Sequence, residues 1–385
     1  MKVEQLRWQE GAGWKTIREG DPARKPQLVI FFAAPSLAES GECYHELRKI
    51  YPDAHIIGAS TGGEVLGRQL LEGTAVAAAI SFKHTAVELA SLSLKGVTDY
   101  PAAGAELAKA LPRENLKAAF LLCDGMIDGP GFVRGILNVL GERFPLMGGL
   151  AGDNERFLQT WVSGNEAFQN GHAAIVGLYG DKLTVGSGCM DGHIRFGPMR
   201  TITRIEGRVI YEIDGQPALD LYKKYLAEES ENFESTLVFN VYPLLITPAG
   251  QGPEKKVVRA IFSINEEEKS LLITEAFEPG SQVQLMRGTI SNIMEGAETA
   301  AKAAKEALLC PIEGDQLAII ISCLGRKLTL GLWTPDELDI VADVLGSEVI
   351  QFGFYAYGEI APDINTHFCL SHNQTMTLTT LAETK

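Results

Sequence analysis

The chain has 385 residues, of which 45% are hydrophobic and 22% are charged, and its formal net charge at pH 7 is −15. This length exceeds what a single hydrophobic core usually serves, so the composition predicts a globular protein of two or three domains. The negative charge, with no basic stripe, argues against binding to nucleic acid or to anionic membranes, because both need clustered Lys and Arg.

The N-terminal part alternates predicted strands and helices. A continuous apolar run at residues 28–34 is typical of a strand buried on both faces, and Pro101 is a favoured residue for the first turn of a helix. The predicted strands lie at 28–34, 54–60, 74–82, 86–94, 117–123 and 145–149, and the predicted helices at 38–50, 102–111 and 131–143. This order indicates parallel strands joined by helices.

The middle of the chain, residues 156–215, is predicted to be all-β. Two hairpins are predicted there: 172–180 with 182–189, joined by Gly180-Asp181, and 200–206 with 209–214, joined at Gly207. A helix is expected near 217–229, and the polar run at 227–234 is the expected domain boundary. We therefore predict domains at residues 1–228 and 229–385.

The C-terminal part repeats the order of elements found over residues 85–153. Its predicted elements are strand 282–287, helix 291–309, strand 317–323, helix 335–345 and strand 349–355. Corresponding strands end alike, in LLCDG at 121–125 and ISCLG at 321–325. The sequence therefore predicts an α/β fold with two related βαβαβ-containing halves, mixed sheets and a β-rich middle segment.

Two local signals accompany this repeat. Thr334 and Glu337 have the spacing of a capping box at the start of the last helix. Each half also has a predicted hairpin after its last strand, at Ser163-Gly164-Asn165 and at Ser371-His372-Asn373.

Three glycine-rich turns follow predicted strands. Two read Gly-x4-Gly-Glu, at Gly58–Glu64 and Gly353–Glu359, and a shorter one reads Gly-x3-Gly-Asp, at Gly148–Asp153. Glycine permits positive φ and lets a ligand approach the main chain. Since ligands of open α/β sheets collect at the carboxyl ends of strands, we expect a site here that draws on both halves, with Glu64 and Glu359 in comparable environments. Alternatively, the glycines permit tight turns and the acids cap neighbouring backbone.

Several segments together resemble the FIST sensory family. They are IIGASTGGEVLG (56–67), LMGGLAGD (146–153), IDGQPALDLYKKYL (213–226), FGFYAYGEIAP (352–362) and HNQTMTLT (372–379). The resemblance covers nearly the whole chain from about residue 27. It implies an N-terminal and a C-terminal FIST module and an intracellular sensor of small ligands, such as amino acids. No output module follows the last predicted strand, so we expect signalling through a partner protein such as a histidine kinase.

The glycine turns offer hydroxyl and carboxylate groups to an amine or amino-acid ligand. Arg287 is added because it precedes a predicted helix start, which suits a carboxylate or phosphate; an ion pair with an acid is the alternative for it and for Arg259. The candidate ligand-binding residues are Ser60, Thr61, Gly62, Gly63, Glu64, Gly149, Asp153, Arg287, Tyr355, Gly358 and Glu359.

The resemblance also implies an alternative function, since some family members are haem proteins that sense nitric oxide and act on a histidine kinase. His372 is the candidate axial ligand, and His193, in a glycine-rich loop, is the second choice. His367 lies five residues before His372 and need not share its face. No C-x-x-C-H motif is present, so haem would be bound non-covalently. The sequence identifies no other cofactor.

A small-molecule enzyme is the second alternative. Cys123 and Cys323 end strands that run towards helix N-termini, where the pKa of a thiol can be lowered. The simpler interpretation is a small buried hydrophobe. The chain has no P-loop, no H-E-x-x-H and no nucleophile elbow, so we expect no enzymatic activity.

The sequence predicts a cytoplasmic protein. No apolar run approaches the roughly 20 residues of a membrane span, and the N-terminus has no apolar signal region. The six cysteines are scattered and show no zinc-like spacing, as in a reducing compartment.

Overall fold

The computed structural model describes residues 1–226 and 236–385. Within them, three mixed sheets surround a common apolar core, and a fourth sheet is antiparallel throughout. We call each part of the chain that supplies the parallel strands of one mixed sheet a unit, and the part that forms the fourth sheet, with its helices, the cap. The predicted α/β class with mixed sheets is confirmed. No helix in the described part of the chain is long and apolar enough to cross a membrane.

The first unit is built on a strand that is buried along its whole length, as its apolar run predicts. Its elements are β1 (Lys2–Gln9), β2 (Gly13–Arg18), β3 (Leu28–Ala33), α1 (Pro35–Ser40), α2 (Glu42–Ile50), β4 (His55–Ser60), β5 (Glu64–Leu66), β6 (Gln69–Leu71) and β7 (Ala75–Ser81). β3 pairs in parallel with β4 and antiparallel with β7. β5 and β6 leave this sheet and join the third one.

The second unit repeats this arrangement. Its elements are β8 (Ala86–Ser93), α3 (Tyr100–Lys109), β9 (Leu116–Cys123), α4 (Gly129–Leu140), β10 (Leu146–Leu150), β11 (Val162–Gly164) and β12 (His172–Tyr179). β9 pairs in parallel with β10 and antiparallel with β12. β11 leaves and forms an edge of the first sheet, next to β4.

Strand β13 (Leu183–Met190) begins the third sheet, and the chain then forms the cap before it returns. The cap elements are β14 (Ile194–Arg195), β15 (Arg200–Glu206), β16 (Val209–Ile213), β17 (Gln216–Pro217), α5 (Ala218–Leu226), α6 (Thr236–Val241), β18 (Leu244–Thr247), a 3-10 turn (Pro253–Lys255), β19 (Val257–Arg259), β20 (Ile261–Asn265), β21 (Ser270–Ile273) and β22 (Gln282–Arg287). The cap has an apolar core of its own.

The third unit is completed by the C-terminal part. Its elements are α7 (Ile290–Glu306), a 3-10 turn (Ala307–Leu309), β23 (Gln316–Cys323), α8 (Leu324–Leu330), a 3-10 turn (Gly331–Trp333), α9 (Thr334–Leu345), β24 (Val349–Ala356), β25 (Gly358–Pro362), β26 (Cys369–His372) and β27 (Met376–Glu383). β23 pairs in parallel with β24 and antiparallel with β27. β25 and β26 leave and complete the second sheet.

The second and third sheets have the same strand order. It is β8-β12-β9-β10-β25-β26 in the second and β13-β27-β23-β24-β5-β6 in the third, with one parallel pair at the same place. The predicted relation between the halves is therefore present. The first sheet, read as β1-β7-β3-β4-β11, has the same sequence of pairings and forms a third copy.

Each glycine turn carries the chain from its own sheet into a neighbouring one. β5 follows the turn after β4 and pairs with β24; β25 follows the turn after β24 and pairs with β10; β11 follows β10 and pairs with β4. The three exchanges close a cycle. Equivalent backbone hydrogen bonds join the turns: Gly62 N to Tyr355 O at 2.7 Å, Gly152 N to Ser60 O at 2.9 Å, and Tyr357 N to Leu150 O at 3.2 Å.

The common core lies where the three sheets face one another. Phe32 of β3 stacks on Phe354 of β24 with ring centroids 4.4 Å apart, and it also contacts Phe352. Aromatic contacts of this kind add to the free energy of apolar burial. The core therefore joins units that are distant in sequence.

Two predicted hairpins are wrong. β12 and β13 lie in different sheets, so the connection at Gly180-Asp181 changes sheet, and 371–373 likewise joins β26 of the second sheet to β27 of the third. A short connection fits a hairpin and a sheet change equally well, and residue periodicity does not distinguish them. The hairpin at Gly207 is confirmed.

Other expectations also differ from the structure. β22 lies in the cap, so the equivalent of β8 in the third unit is β13. Glu337 forms no capping box, because its carboxylate is held in a buried ion pair with Arg326. The predicted boundary at 227–234, and the domain limits at 228 and 229 that depend on it, lie outside the described residues.

Candidate functional site

In the first glycine turn the predicted ligand groups bond to the protein itself. Ser60 Oγ donates to Gly152 O at 2.8 Å, and the Thr61 hydroxyl donates to the Glu64 carboxylate. Glu64 also accepts from Thr74 N at 3.3 Å and is 1% exposed. Burial raises the pKa of Glu64 to about 7.

Gly62 and Gly63 of this turn are covered by the third unit. Tyr355 N donates to Gly63 O at 2.9 Å, and Lys327 Nζ donates to Gly62 O at 2.8 Å. Gly63 has φ +138°, which few other residues adopt. The first turn is therefore closed to a ligand in this conformation.

In the second turn, Asp153 organises the loop that follows it. Its carboxylate accepts from the backbone N of Phe157 at 2.8 Å and from those of Leu158 and Gln159 at 3.0 Å each, and the Tyr357 hydroxyl donates to it. Phe157 has φ +49°, a strained backbone for a bulky residue. Asp153 therefore holds two aromatic residues in place and is not itself open to a ligand.

In the third turn, Glu359 is fully buried. One carboxylate oxygen accepts from Thr375 N at 3.2 Å and Thr375 Oγ1 at 2.8 Å, while the other has no hydrogen-bond partner. Burial raises the pKa of Glu359 to about 8. Glu64 and Glu359 thus share burial, a threonine partner and a raised pKa. Tyr355 is also buried, and its hydroxyl donates to Glu337 at 3.2 Å.

The remaining candidates have mainly packing positions. A Cβ at Gly149 would lie 2.9 Å from Ile321 Cγ2, and one at Gly358 would lie 3.3 Å from Leu150 Cδ1. Arg287 lies half-buried in β22, on the cap. The structure thus brings the three turns together but places none of the predicted ligand-binding residues on the wall of the deep cavity beneath the cap.

That cavity, of about 490 Å³, lies between the cap and the second and third units. Its wall is formed by the segments that follow β9 and β23, by the ends of β10 and β24, by α8, and by α6, β20 and β21 of the cap. The volume is in the range of small-molecule sites, which are concave and mostly apolar. This cavity is the candidate ligand-binding site.

Three aromatic residues form one wall of the cavity. Phe157 stacks on Tyr357 at 4.6 Å between ring centroids, and Phe262 of the cap meets Phe157 edge-on at 5.4 Å. Leu150 and Leu328 extend the apolar surface. Such a wall can bury an apolar or aromatic group of a ligand.

Amide side chains line another part of the cavity. Gln374 Nε2 donates to Asn240 Oδ1 at 2.8 Å, and Asn373 Oδ1 accepts from Thr274 Oγ1 at 2.5 Å. A Cβ at Gly325 would lie 2.4 Å from Gln374 Nε2 and 2.7 Å from Asn240 Oδ1, so only glycine leaves room for these amides to meet. Neutral polar groups of this kind orient a ligand by hydrogen bonds.

The cysteines at the strand ends do not provide an activated nucleophile. Cys323 lines the cavity and Cys123 is fully buried. Burial raises the pKa of both thiols, whereas nucleophilic catalysis needs a lowered pKa.

The histidines do not fit a haem site at this cavity. His372 Nε2 lies 3.0 Å from Ala361 O, and burial lowers the pKa of the ring. His193 Nε2 lies 3.2 Å from Asn240 O. Neither lines the cavity, and no histidine does among the described residues. The axial role of His372 stays a prediction, without support from this geometry.

The cavity residues lie beside those that the sequence singled out. Tyr357 lies inside the third glycine motif, and Asn373 and Gln374 follow His372. Gly125 and Gly325 belong to the Cys-x-Gly strand ends, which offered a usable signal: a Cβ at Gly125 would lie 2.8 Å from Tyr357 Cδ2. No local signal marked Asn240 in the cap.

Comparisons with known proteins identify the family. The FIST N domain model matches residues 27–216, and the FIST C domain model matches residues 218–362. An uncharacterized protein of Methanocaldococcus jannaschii is 24% identical over 382 residues, which cover 88% of this chain and 71% of that protein. FIST domains are sensory domains. The chain therefore belongs to the FIST family.

Proposed function

We propose that this protein is a sensor that binds a small ligand in the cavity beneath the cap and signals through a partner protein. The observation that carries this proposal is the cavity itself, where elements of two units and of the cap converge around an apolar wall and a group of amides. Membership of a sensory family agrees with it.

Support for ligand binding comes from how the cavity is held. Asp153 fixes the loop that carries Phe157, and Glu359 fixes Thr375, next to Gln374. Buried carboxylates that accept hydrogen bonds from nearby backbone and hydroxyl groups keep those groups in one arrangement. The acids of the second and third turns therefore position the cavity wall and need not touch the ligand.

The output of the proposed sensor runs through α8. Leu324 and Leu328 of this helix line the cavity, and Lys327 bonds to Gly62 of the first unit. The 3-10 turn that follows exposes Leu332 at 98% and Trp333 at 54%. A ligand that prefers one position of α8 would shift the population of conformers that a partner recognises at this turn.

The test is to fill the cavity. Ala260 lines it and is only half-buried, so Ala260→Trp can place an indole inside. Ala249→Trp, at a half-buried position of the cap outside the cavity wall, is the matched control. Native mass spectrometry of the purified protein detects a retained small molecule, and thermal shift measures stabilisation by the common amino acids, haem and neutral ring amides.

We expect the native chain and the control variant Ala249→Trp to retain a small molecule or to be stabilised by a probe. Ala260→Trp should show neither. At a ligand concentration 100 times Kd, stabilisation amounts to about 2.7 kcal/mol. Equal binding by Ala260→Trp and the control contradicts the proposal. Hydrogen exchange at 324–333 should slow on binding if α8 carries the output.

A further inference from the structure

Among the described residues, the buried wall of the cavity has no ionised side chain. Glu155 and Arg208 are the charged residues among those described that line it; both are exposed and opposite in sign. Arg326 directly follows Gly325, but its guanidinium is fully buried and paired with Glu337. A charged ligand group would therefore lose water without gaining a counter-charge, which is costly.

The layer behind the wall also disfavours charge. Cys323 lines the cavity, and the Glu359 carboxyl lies beside its thiol. Burial raises the pKa of Glu359 to about 8, so this carboxyl is largely neutral at pH 7. Within the described part of the chain, no buried anion therefore lines the cavity on this side.

One amide donor in the wall has no partner among the residues that the structure describes. Asn240 is 8% exposed and uses Oδ1 to accept from Gln374. Its Nδ2 makes no hydrogen bond with the described residues and is not sealed from solvent. Because Asn240 lines the cavity, this N–H group is available to an acceptor on a ligand.

We propose that the ligand is an uncharged molecule with a planar ring and a carbonyl-type acceptor, whose ring contacts Phe157, Phe262 and Tyr357 and whose acceptor bonds to Asn240 Nδ2. This assignment rests on the proposed function. A ring supplies the flat apolar surface that the aromatic wall accommodates, and a neutral acceptor satisfies the amide without bringing in a charge.

The test uses four probes that share a ring and differ in charge. They are benzamide, benzoate, benzamidine and L-phenylalanine, each titrated against the full chain by ligand-observed NMR. We expect benzamide to bind at least tenfold more tightly than the other three. Equal or tighter binding of benzoate, benzamidine or the zwitterion overturns the assignment, and so does no binding of benzamide.

A charge replacement sharpens the test. Asn240→Asp keeps an acceptor for Gln374 and turns the cavity-facing donor into a carboxylate oxygen. We expect a loss of benzamide affinity of at least tenfold and a gain for benzamidine. Asn138→Asp places the same charge on an exposed position of α4 and should change neither affinity. Unchanged benzamide affinity in folded Asn240→Asp contradicts the assignment. If that variant does not fold, the titration of the four probes against the native chain tests the assignment alone.

The two proposals fail differently. If another probe binds more tightly than benzamide and Ala260→Trp abolishes its binding, the cavity is a ligand site and only the proposed chemical class is wrong. If Ala260→Trp leaves every binding event unchanged, the proposed function fails together with the class of ligand.

Discussion

The second and third units share a strand order but fill the space beside their parallel strands differently. In α4 the fourth residue is Phe132, which is fully buried in an apolar cluster. In α9 the fourth residue is Glu337, which accepts from Arg326 Nε at 2.9 Å in a pair that is fully buried. After Cys123 the residue matching Arg326 is Met126, which is 46% exposed.

The difference follows from what each unit must hold. Beyond Glu337, Arg326 donates to three backbone carbonyls: Asp191 O at the start of the cap, Ile293 O in α7 and Gln374 O beside the cavity. The second unit has no inserted cap at this point. One fold thus accepts an apolar or an ionic core, and the ionic one lies where several elements meet at the cavity.

Breaking the pair should have the largest effect. Glu337→Leu leaves Arg326 buried without its carboxylate, so we expect a loss of about 3–5 kcal/mol in the free energy of unfolding, measured by urea denaturation. Phe132→Leu, at the matching place in α4, is the control and should cost about 1 kcal/mol. The comparison between the units fails if the two losses are equal.

A double variant tests whether the apolar residues of the second unit can replace the ion pair of the third. Arg326→Met with Glu337→Phe should recover more than half of the stability lost in Glu337→Leu, because no lone charge remains. Recovery should stay incomplete, since the carbonyls of Asp191, Ile293 and Gln374 lose their donor. Full recovery would mean that these bonds contribute nothing.

The buried carboxyl of Glu359 should make the stability of the protein depend on pH. Burial raises the pKa of Glu359 to about 8, so the folded state holds a proton that the unfolded state releases near pH 4.5. Stability should therefore fall as pH rises from about 4.5 to 8, and this group supplies that part of the pH slope. Glu359→Gln should remove that part of the slope, whereas Glu278→Gln, at an exposed site, should leave it. A slope unchanged in Glu359→Gln contradicts the assignment.

The first glycine of each turn gives the smallest expected effect. A Cβ at Gly148 or Gly353 would lie 1.8 Å from the backbone O of Leu121 or Ile320, which cannot move freely. At Gly58 it would meet the Phe31 side chain instead. Gly353→Ala should therefore lower the free energy of unfolding by about 2 kcal/mol and Gly58→Ala by about 1 kcal/mol. A larger loss of stability in Gly58→Ala than in Gly353→Ala, measured by thermal denaturation, would contradict this prediction.

The sequence predicted elements whose signal is local. The strand at 28–34 follows from its apolar run, and the helix after Pro101 from that residue. The glycine turns were located correctly, because glycine spacing is visible in any single chain. The contacts of these turns were not predicted, since β5 and β11 are three residues long and pair with distant strands.

Side-chain roles were harder to predict for a related reason. Glu337 has the spacing of a capping box, but Arg326 competes for its carboxylate from a different element. Glu64, Asp153 and Glu359 end similar turns, yet all three side chains are buried in the protein and not open to a ligand. Asn240 reaches the cavity only because the cap lies over it, and no nearby residue indicates that. Pairing between distant elements, and not local propensity, decides these positions.

Because β5, β25 and β11 are exchanged in a cycle, the FIST N segment (27–216) and the FIST C segment (218–362) interlock. A fragment that ends before β23 keeps β10 but loses the strand that completes its edge, and it leaves β5 without β24. Such exposed edges pair readily with other chains. Each segment expressed alone should therefore aggregate, whereas the two expressed together should reassemble, much as halves of a split protein do. Tandem family segments can thus form one indivisible folding unit.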